Sequence, residues 1–196
     1  CVRFSSAMDD LAVFVKAVDF AAGKHRFQRR KDADASPYIN HPIAVANVLA
    51  AKAGIADPVT LCAAVLHDTI EDTETTAGEL EETFGAQITQ IVLEVTDDKS
   101  LPKEARKQLQ IEHAPQLSGQ AKTVKLADKI CNLRDTLTQP PVGWSLSRCR
   151  EYFEWAKKVI DGLRGTNPAL EAIFDEIYAR GIADFDEKAR RGDGNL

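Results

Sequence analysis

Long apolar runs are missing from this sequence, and no stretch approaches the roughly 20 residues that a membrane-spanning helix needs. The opening CVRFSSAMDD lacks the apolar segment of a secretory signal. Gly/Ser-rich linkers and internal repeats are also missing, which excludes a solenoid or a set of loosely tethered modules. The four cysteines, Cys1, Cys62, Cys131 and Cys149, show no CxxC or other ligand spacing. Cys62 and Cys131 lie in apolar helical contexts and read as small core residues in a reducing, cytoplasmic compartment. Positive charge is in deficit. With a net charge of -5 and a pI near 5.4, the chain lacks the surface needed for broad binding to nucleic acid or anionic membrane. Any basic cluster is therefore a local device.

What is present is helical period. At 196 residues, with 44% hydrophobic and 28% charged, the chain suits one globular domain with a single substantial core. LAVFVKAVDFAAGKH predicts a helix with Leu11, Phe14, Val15, Val18 and Ala22 on one stripe. NHPIAVANVLAAKAG predicts a second, with Asn40 as N-cap, Pro42 in the first turn and Gly54 as its stop. Asp57 and Pro58 open the next, through VTLCAAVLHDTI. TTAGELEETFG pairs Thr76 with Glu79 as a capping box and ends at Gly85. Further helices follow in AQITQIVLEVT, KEARKQLQIEHA, GQAKTVKLADKICNLRDTL, SLSRCREYFEWAKKVIDGLRG and NPALEAIFDEIYARG. Strand signals are confined to RFQRRKDADASPYI, where residues 28–39 suit one short β-hairpin. The expected fold is all-α, a single domain over 8–181. Residues 1–7, ahead of Met8, and the polar tail 182–196 are expected to flank it, the tail fraying.

The chemistry concentrates in LHDTIED. On a helix, residues four apart are stacked, so His67 is expected above Glu71 and Asp68 above Asp72. Leu61, Ala64 and Val65 carry the apolar stripe just upstream, which places this acidic end at the floor of a cleft. Close carboxylates repel, and a divalent cation removes both that repulsion and the cost of burying them. Each piece has a plainer reading. Glu71 and Asp72 suit a solvated helix end, His67 a satisfied core histidine, and His41 a capping or surface histidine. Asp128, on the buried helix marked by Val124, Leu126, Ile130 and Leu133, suits an ion pair with Lys125 or Lys129. Asn132, one turn on, shares its face and is placed to hold either that carboxylate or a metal-bound water. The metal reading gains because partners of the right type recur along the chain.

His41, the His67-Asp68 pair and the distant Asp128 resemble the H…HD…D ligand set of the HD superfamily of metal-dependent phosphohydrolases. In order, RRK, PYINHP, LHDTIED, FG, VTDDK, VKLADK, NLRD and EYFEWA resemble the hydrolase domain of the RelA/SpoT family, most closely its short metazoan SpoT-like members. The likeness runs from about Asp19 to Gly181. It implies an HD-domain helical bundle and a Mn²⁺-dependent enzyme that removes pyrophosphate from the 3′ position of guanosine tetra- or pentaphosphate, leaving GDP or GTP. It implies His41, His67, Asp68 and Asp128 as metal ligands and Glu71 and Asp72 as the catalytic acids. Asn132 then lies beside metal and substrate, Arg30 and Lys31 over the nucleotide, and Lys103, Arg148 and Tyr152 at its phosphates and ribose. Bacterial long-form members carry a synthetase domain after this one, so hydrolysis alone is expected of 196 residues.

The residues agree with that chemistry. Two imidazoles and two carboxylates form a mixed N/O set that suits Mn²⁺ and also admits Fe²⁺, Co²⁺ or Zn²⁺. Glu71 and Asp72 are placed to orient water, take its proton or protonate the leaving oxygen, a division the sequence leaves open. Arg30 and Lys31 have a plainer reading too, as a solvated basic loop. Two other functions stay open: a phosphatase for a ribose 2′- or 3′-phosphate, as on NADPH, and a module that binds a nucleotide without cutting it.

Overall fold

The computed structural model describes residues 4–191, with side chains from residue 9. Ten α-helices follow in order: α1 (Phe4–Lys24), α2 (Asn40–Asn47), α3 (Pro58–Leu66), α4 (Thr69–Asp72), α5 (Ala77–Phe84), α6 (Ala86–Val95), α7 (Lys103–His113), α8 (Gly119–Thr138), α9 (Leu146–Asp161) and α10 (Pro168–Arg191). A π-helical turn, Val48–Lys52, extends α2, and a 3₁₀ turn, Ala114–Gln116, follows α7. No described helix is long and apolar enough to cross a membrane. Cys62, Cys131 and Cys149 are free and buried, the first two as their apolar contexts predict.

Two helices organise the bundle. α3 is apolar all round and packs against α1, α2, α6 and α8, so it lies at the centre. Asp57 starts it by accepting hydrogen bonds from the Val59 and Thr60 amides, and Pro58 supplies the fixed φ of a first turn. α8 crosses α2, α3, α6, α9 and α10, and Ser118 caps it by accepting from the Ala121 amide. Because both are held along their length by apolar neighbours, polar groups set on them have little freedom to move.

Several local expectations hold and others change. Thr76 caps α5 through the Glu79 amide, but the Glu79 carboxylate turns to Lys24, 2.8 Å away, instead of closing the capping box. Gly85 ends α5 at φ +85°, a conformation costly for a residue with a Cβ. The hairpin shrinks to one antiparallel bridge, Arg29 with Pro37, flanked by Arg30 N–H to Ser36 O and Tyr38 N–H to Gln28 O. Asn40 is the first residue of α2 and not its cap, since the preceding Ile39 is already helical and no side chain caps the end. On α1 the packed seam runs through Ala17 and Ala21, whose small side chains let the helix approach α3 closely. Leu11 and Val15 consequently stay 57% exposed.

The largest change is at the C-terminus. The expected last helix and the domain end at Gly181, yet α10 runs through it to Arg191. A Cβ at Gly181 would lie 2.2 Å from Phe153, so glycine there permits α9 and α10 to touch. One turn later Phe185 is buried and meets Phe153 edge-on, with centroids 4.9 Å apart. Residues 182–191 therefore belong to the fold, and residues 1–3 and 192–196 of the expected flanks lie outside the described residues. Phe185→Ala is expected to cost about 3–5 kcal/mol in urea unfolding, whereas a frayed tail would register no change.

Candidate functional site

Three helices bring the site together. His41 stands in the first turn of α2, His67 just after the last turn of α3, and Asp128 midway along α8. All three are buried, and one ligand atom from each falls within 4.8 Å of the others. Asp68 completes the group. His41 Nε2 lies 3.1 Å from Asp128 Oδ1 and 3.8 Å from Asp68 Oδ2, and His67 Nε2 lies 3.0 Å from Asp68 Oδ2 and 3.8 Å from Asp128 Oδ1.

The details suit a cation. His67 Nδ1 is 2.8 Å from Ala64 O, so Nδ1 carries a proton and Nε2 faces the carboxylates. That Nε2 is buried without a hydrogen bond even though Asp68 Oδ2 lies 3.0 Å away. Burial disfavours a charged His67, but the Asp68 carboxylate overrides it and raises the pKa to about 9. Burial likewise opposes charge on Asp68 and Asp128. The His67 charge outweighs it at Asp68, and Lys129 and His41 do so at Asp128, holding both carboxyls well below their ordinary range. His41, His67 and Asp128, with Asp68 beside them, offer the imidazole and carboxylate donors that suit a divalent ion.

Neighbours hold both carboxylates in place. Tyr38 Oη donates to Asp68 Oδ2 at 2.7 Å. Lys129 Nζ lies 2.8 Å from Asp128 Oδ2, and Asn132 Nδ2 donates to Asp128 Oδ1 at 2.6 Å. Asp128 is thus ion-paired to Lys129 while it sits in the cluster. Lys125 turns away, donating to Val95 O at 3.0 Å.

The two acids beyond Asp68 separate. His67 and Asp68 do not continue α3 as one regular helix, for Asp68 adopts φ −97°, ψ −2° before α4 begins. Glu71 then points into the metal-side cavity of about 150 Å³, with His41, His67, Asp68 and Asp128. There the Asp97 amide donates to Glu71 Oε2 at 3.0 Å, and Arg106 lies 3.9 Å from Oε1. Burial raises the Glu71 pKa, and the Asp97 amide works against it. Asp72 faces a second cavity of about 330 Å³, where Gln28 Nε2 donates to it at 2.9 Å and Lys99 pairs with it.

The second cavity takes in Arg30, Lys31, Asn132 and Tyr152, together with Tyr38 and Trp144. Arg30 is engaged with Asp135 at 2.9 Å. A third space of about 520 Å³ adjoins through Lys31, Trp144 and Tyr152 and adds Lys103 and Arg148. Partial burial and the neighbouring cations Lys107, Arg148 and Lys31 lower the Lys103 pKa, which marks a concentration of positive charge in an acidic protein. Each opening is of a size used for small molecules, about 300–1,000 Å³. All twelve residues singled out in the sequence thus line one of three adjoining spaces. Sequence reading missed Gln28, Tyr38, Lys99, Arg106 and Trp144. Tyr38 had a signal, standing three residues before His41 in PYINHP; the others depend on pairings distant along the chain.

Comparison with known proteins finds relatives over most of the chain. A family model described as HD domain matches residues 17–145. The Xenopus tropicalis protein named guanosine-3′,5′-bis(diphosphate) 3′-pyrophosphohydrolase MESH1 is 55% identical over 175 residues, 89% of this chain and 98% of its own. The Homo sapiens protein of that name is 57% identical over 169 residues, covering 86% and 94%. A solved structure described as "A metazoan ortholog of SpoT hydrolyzes ppGpp and plays a role in starvation responses" matches with a TM-score of 0.84 and 50% identity, over 86% of this chain and 95% of that one.

Asp68→Ala is expected to abolish stoichiometric metal binding measured by elemental analysis. The double variant Glu71→Ala/Asp72→Ala should retain the metal, and its loss there would place that pair among the ligands.

Proposed function

The chain belongs to the HD-domain family, among the guanosine-3′,5′-bis(diphosphate) 3′-pyrophosphohydrolases, and on that premise we propose that it releases pyrophosphate from the 3′ position of guanosine tetra- and pentaphosphate, leaving GDP or GTP. The observation that carries this reading is the junction of a metal-side cavity holding Glu71 with a cationic cleft holding Asp72, the two sharing Tyr38 and Asn132.

In this reading His41, His67, Asp68 and Asp128 hold one divalent ion, with Mn²⁺ the proposed species because the donor set is mixed imidazole and carboxylate. The chemistry such an ion supplies is activation of a water and polarisation of a phosphoryl oxygen. Glu71 accepts the water's proton as its oxygen bonds to the phosphorus attached at O3′. The P–O3′ bond breaks, and O3′ leaves on the Asp72 side of the junction, taking a proton from water in the cleft to become the nucleoside hydroxyl. Lys31, Lys103 and Arg148 neutralise the 5′ phosphates, while Tyr152 and Trp144 offer their rings to the nucleoside. Asn132 keeps Asp128 oriented from the substrate side. The separation of the two acids supports giving them different tasks, Glu71 toward the water and Asp72 toward the ribose.

The test strips metal with chelator, restores Mn²⁺ and follows products by phosphorus NMR. Metal-dependent pyrophosphate from the guanosine substrate is expected. Orthophosphate from NADPH with no turnover of the guanosine substrate would overturn the assignment. A pH series adds the role of Glu71. It must be ionised to accept a proton and its pKa is raised by burial, so kcat should fall with decreasing pH at a point above the ordinary glutamate range. Glu71→Gln should lower kcat by about 10²–10⁴-fold and remove that acidic limb.

A further inference from the structure

His25 has no part in the chemistry above, yet it stands behind both halves of the site. It follows the end of α1 and is 1% exposed. Its ring packs against Tyr38, centroids 4.9 Å apart, and Tyr38 is the donor to Asp68. On its other side Nδ1 lies 2.6 Å from Gln28 Oε1, and the opposite end of that amide, Nε2, donates to Asp72. A turn clamps the pair, with the Gln28 amide donating to His25 O at 2.9 Å.

The hydrogen-bonding roles leave one consistent arrangement. A carboxylate oxygen accepts, so Gln28 must turn its NH₂ end to Asp72 and its oxygen to His25. An oxygen there requires a proton on His25 Nδ1. The other neutral tautomer would set a lone pair against that oxygen at 2.6 Å and leave an N–H at Nε2, which is buried with no partner. We propose that His25 is a positioning residue: its Nδ1–H locks the orientation of the Gln28 amide, which in turn aims Asp72 into the cleft. The geometry also explains why so buried a histidine carries one unpartnered nitrogen. That atom is the bare, non-protonated end of a ring whose other end is committed.

The kinetic consequence rests on the hydrolase reading, whereas the tautomer does not, and two measurements separate them. Imidazole ¹⁵N–¹³C correlation spectra, taken on protein loaded with a diamagnetic divalent ion, should show His25 protonated at Nδ1. A neutral Nε2–H form would overturn the proposal whatever the substrate. In steady-state assays with the guanosine substrate, Gln28→Met should lower kcat about 10–100-fold with KM and bound metal unchanged. His25→Leu should match it, and His25→Asn, whose side-chain amide nitrogen occupies the place of Nδ1–H, should restore most of the rate. The double variant His25→Leu/Gln28→Met should be no slower than Gln28→Met alone, since the two act in series. A rise in KM with kcat intact would make Gln28 a substrate contact, and either that or additive losses would overturn the relay. Should His25→Leu fail to fold, the Gln28→Met split and the His25→Asn rate still decide the question. If the unaltered protein turns over no guanosine substrate, the hydrolase reading falls and the spectra still judge the tautomer.

Discussion

Two carboxylates and two imidazoles forced together in a buried place constrain the rest of this molecule. Asp68, from the turn after α3, and Asp128, from α8, approach the same pair of Nε2 atoms, and burial penalises the charge each of them carries. Such a cluster is tolerable only where cations are near and every spare lone pair has a donor. The surroundings meet that demand at the two carboxylates, while His41 Nδ1 and His67 Nε2 stay without a hydrogen bond. Lys129 and Asn132 serve Asp128, Tyr38 serves Asp68, and the Ala64 carbonyl fixes the ring of His67. α3 and α8 supply the stiffness, because both are packed along their length and cannot relax the donors apart.

Asymmetry between Glu71 and Asp72 follows from a small backbone event. Had α3 run on without a break, the acids would have stayed on adjacent strips of one helix end. The turn at Asp68 and the short α4 instead deliver Glu71 beside the ligands and Asp72 to the neighbouring cleft. Each acid then acquires its own attendants, the Asp97 amide and Arg106 for one, Gln28 and Lys99 for the other. An active site that must act on both sides of a phosphorus gains from two carboxyls in unlike settings, since proton transfers there have different requirements.

Legibility from sequence varied with how local the cause was. The caps at Asp57 and Thr76 and the stop at Gly85 were readable because they act within one turn. Asn40 failed as a cap because the chain entering from Ile39 was already helical. Leu11 and Val15 suited a buried stripe by period, but small residues one position round offered α1 a closer approach to α3. The end expected at Gly181 misled in the same way. That glycine proved to be the clearance that Phe153 needs, so α10 continues for ten more residues to Arg191.

By itself the sequence determined the helical class and nominated twelve residues that line the adjoining spaces, because ligand types and motif order are written in the chain, but it passed over Gln28, Tyr38 and Trp144 beside them. It could also show that an acidic protein keeps its cations local, since charge is a sum over residues. Only the tertiary structure decided which oxygen each nitrogen faces and which cavity each acid enters, and it alone placed Phe185 in the core. It also set His25 behind Gln28 and Tyr38, linking the end of α1 to Asp68 and Asp72. The reason is physical: hydrogen-bond direction, burial and close approach depend on groups distant in sequence, and those distances exist only once the helices have packed.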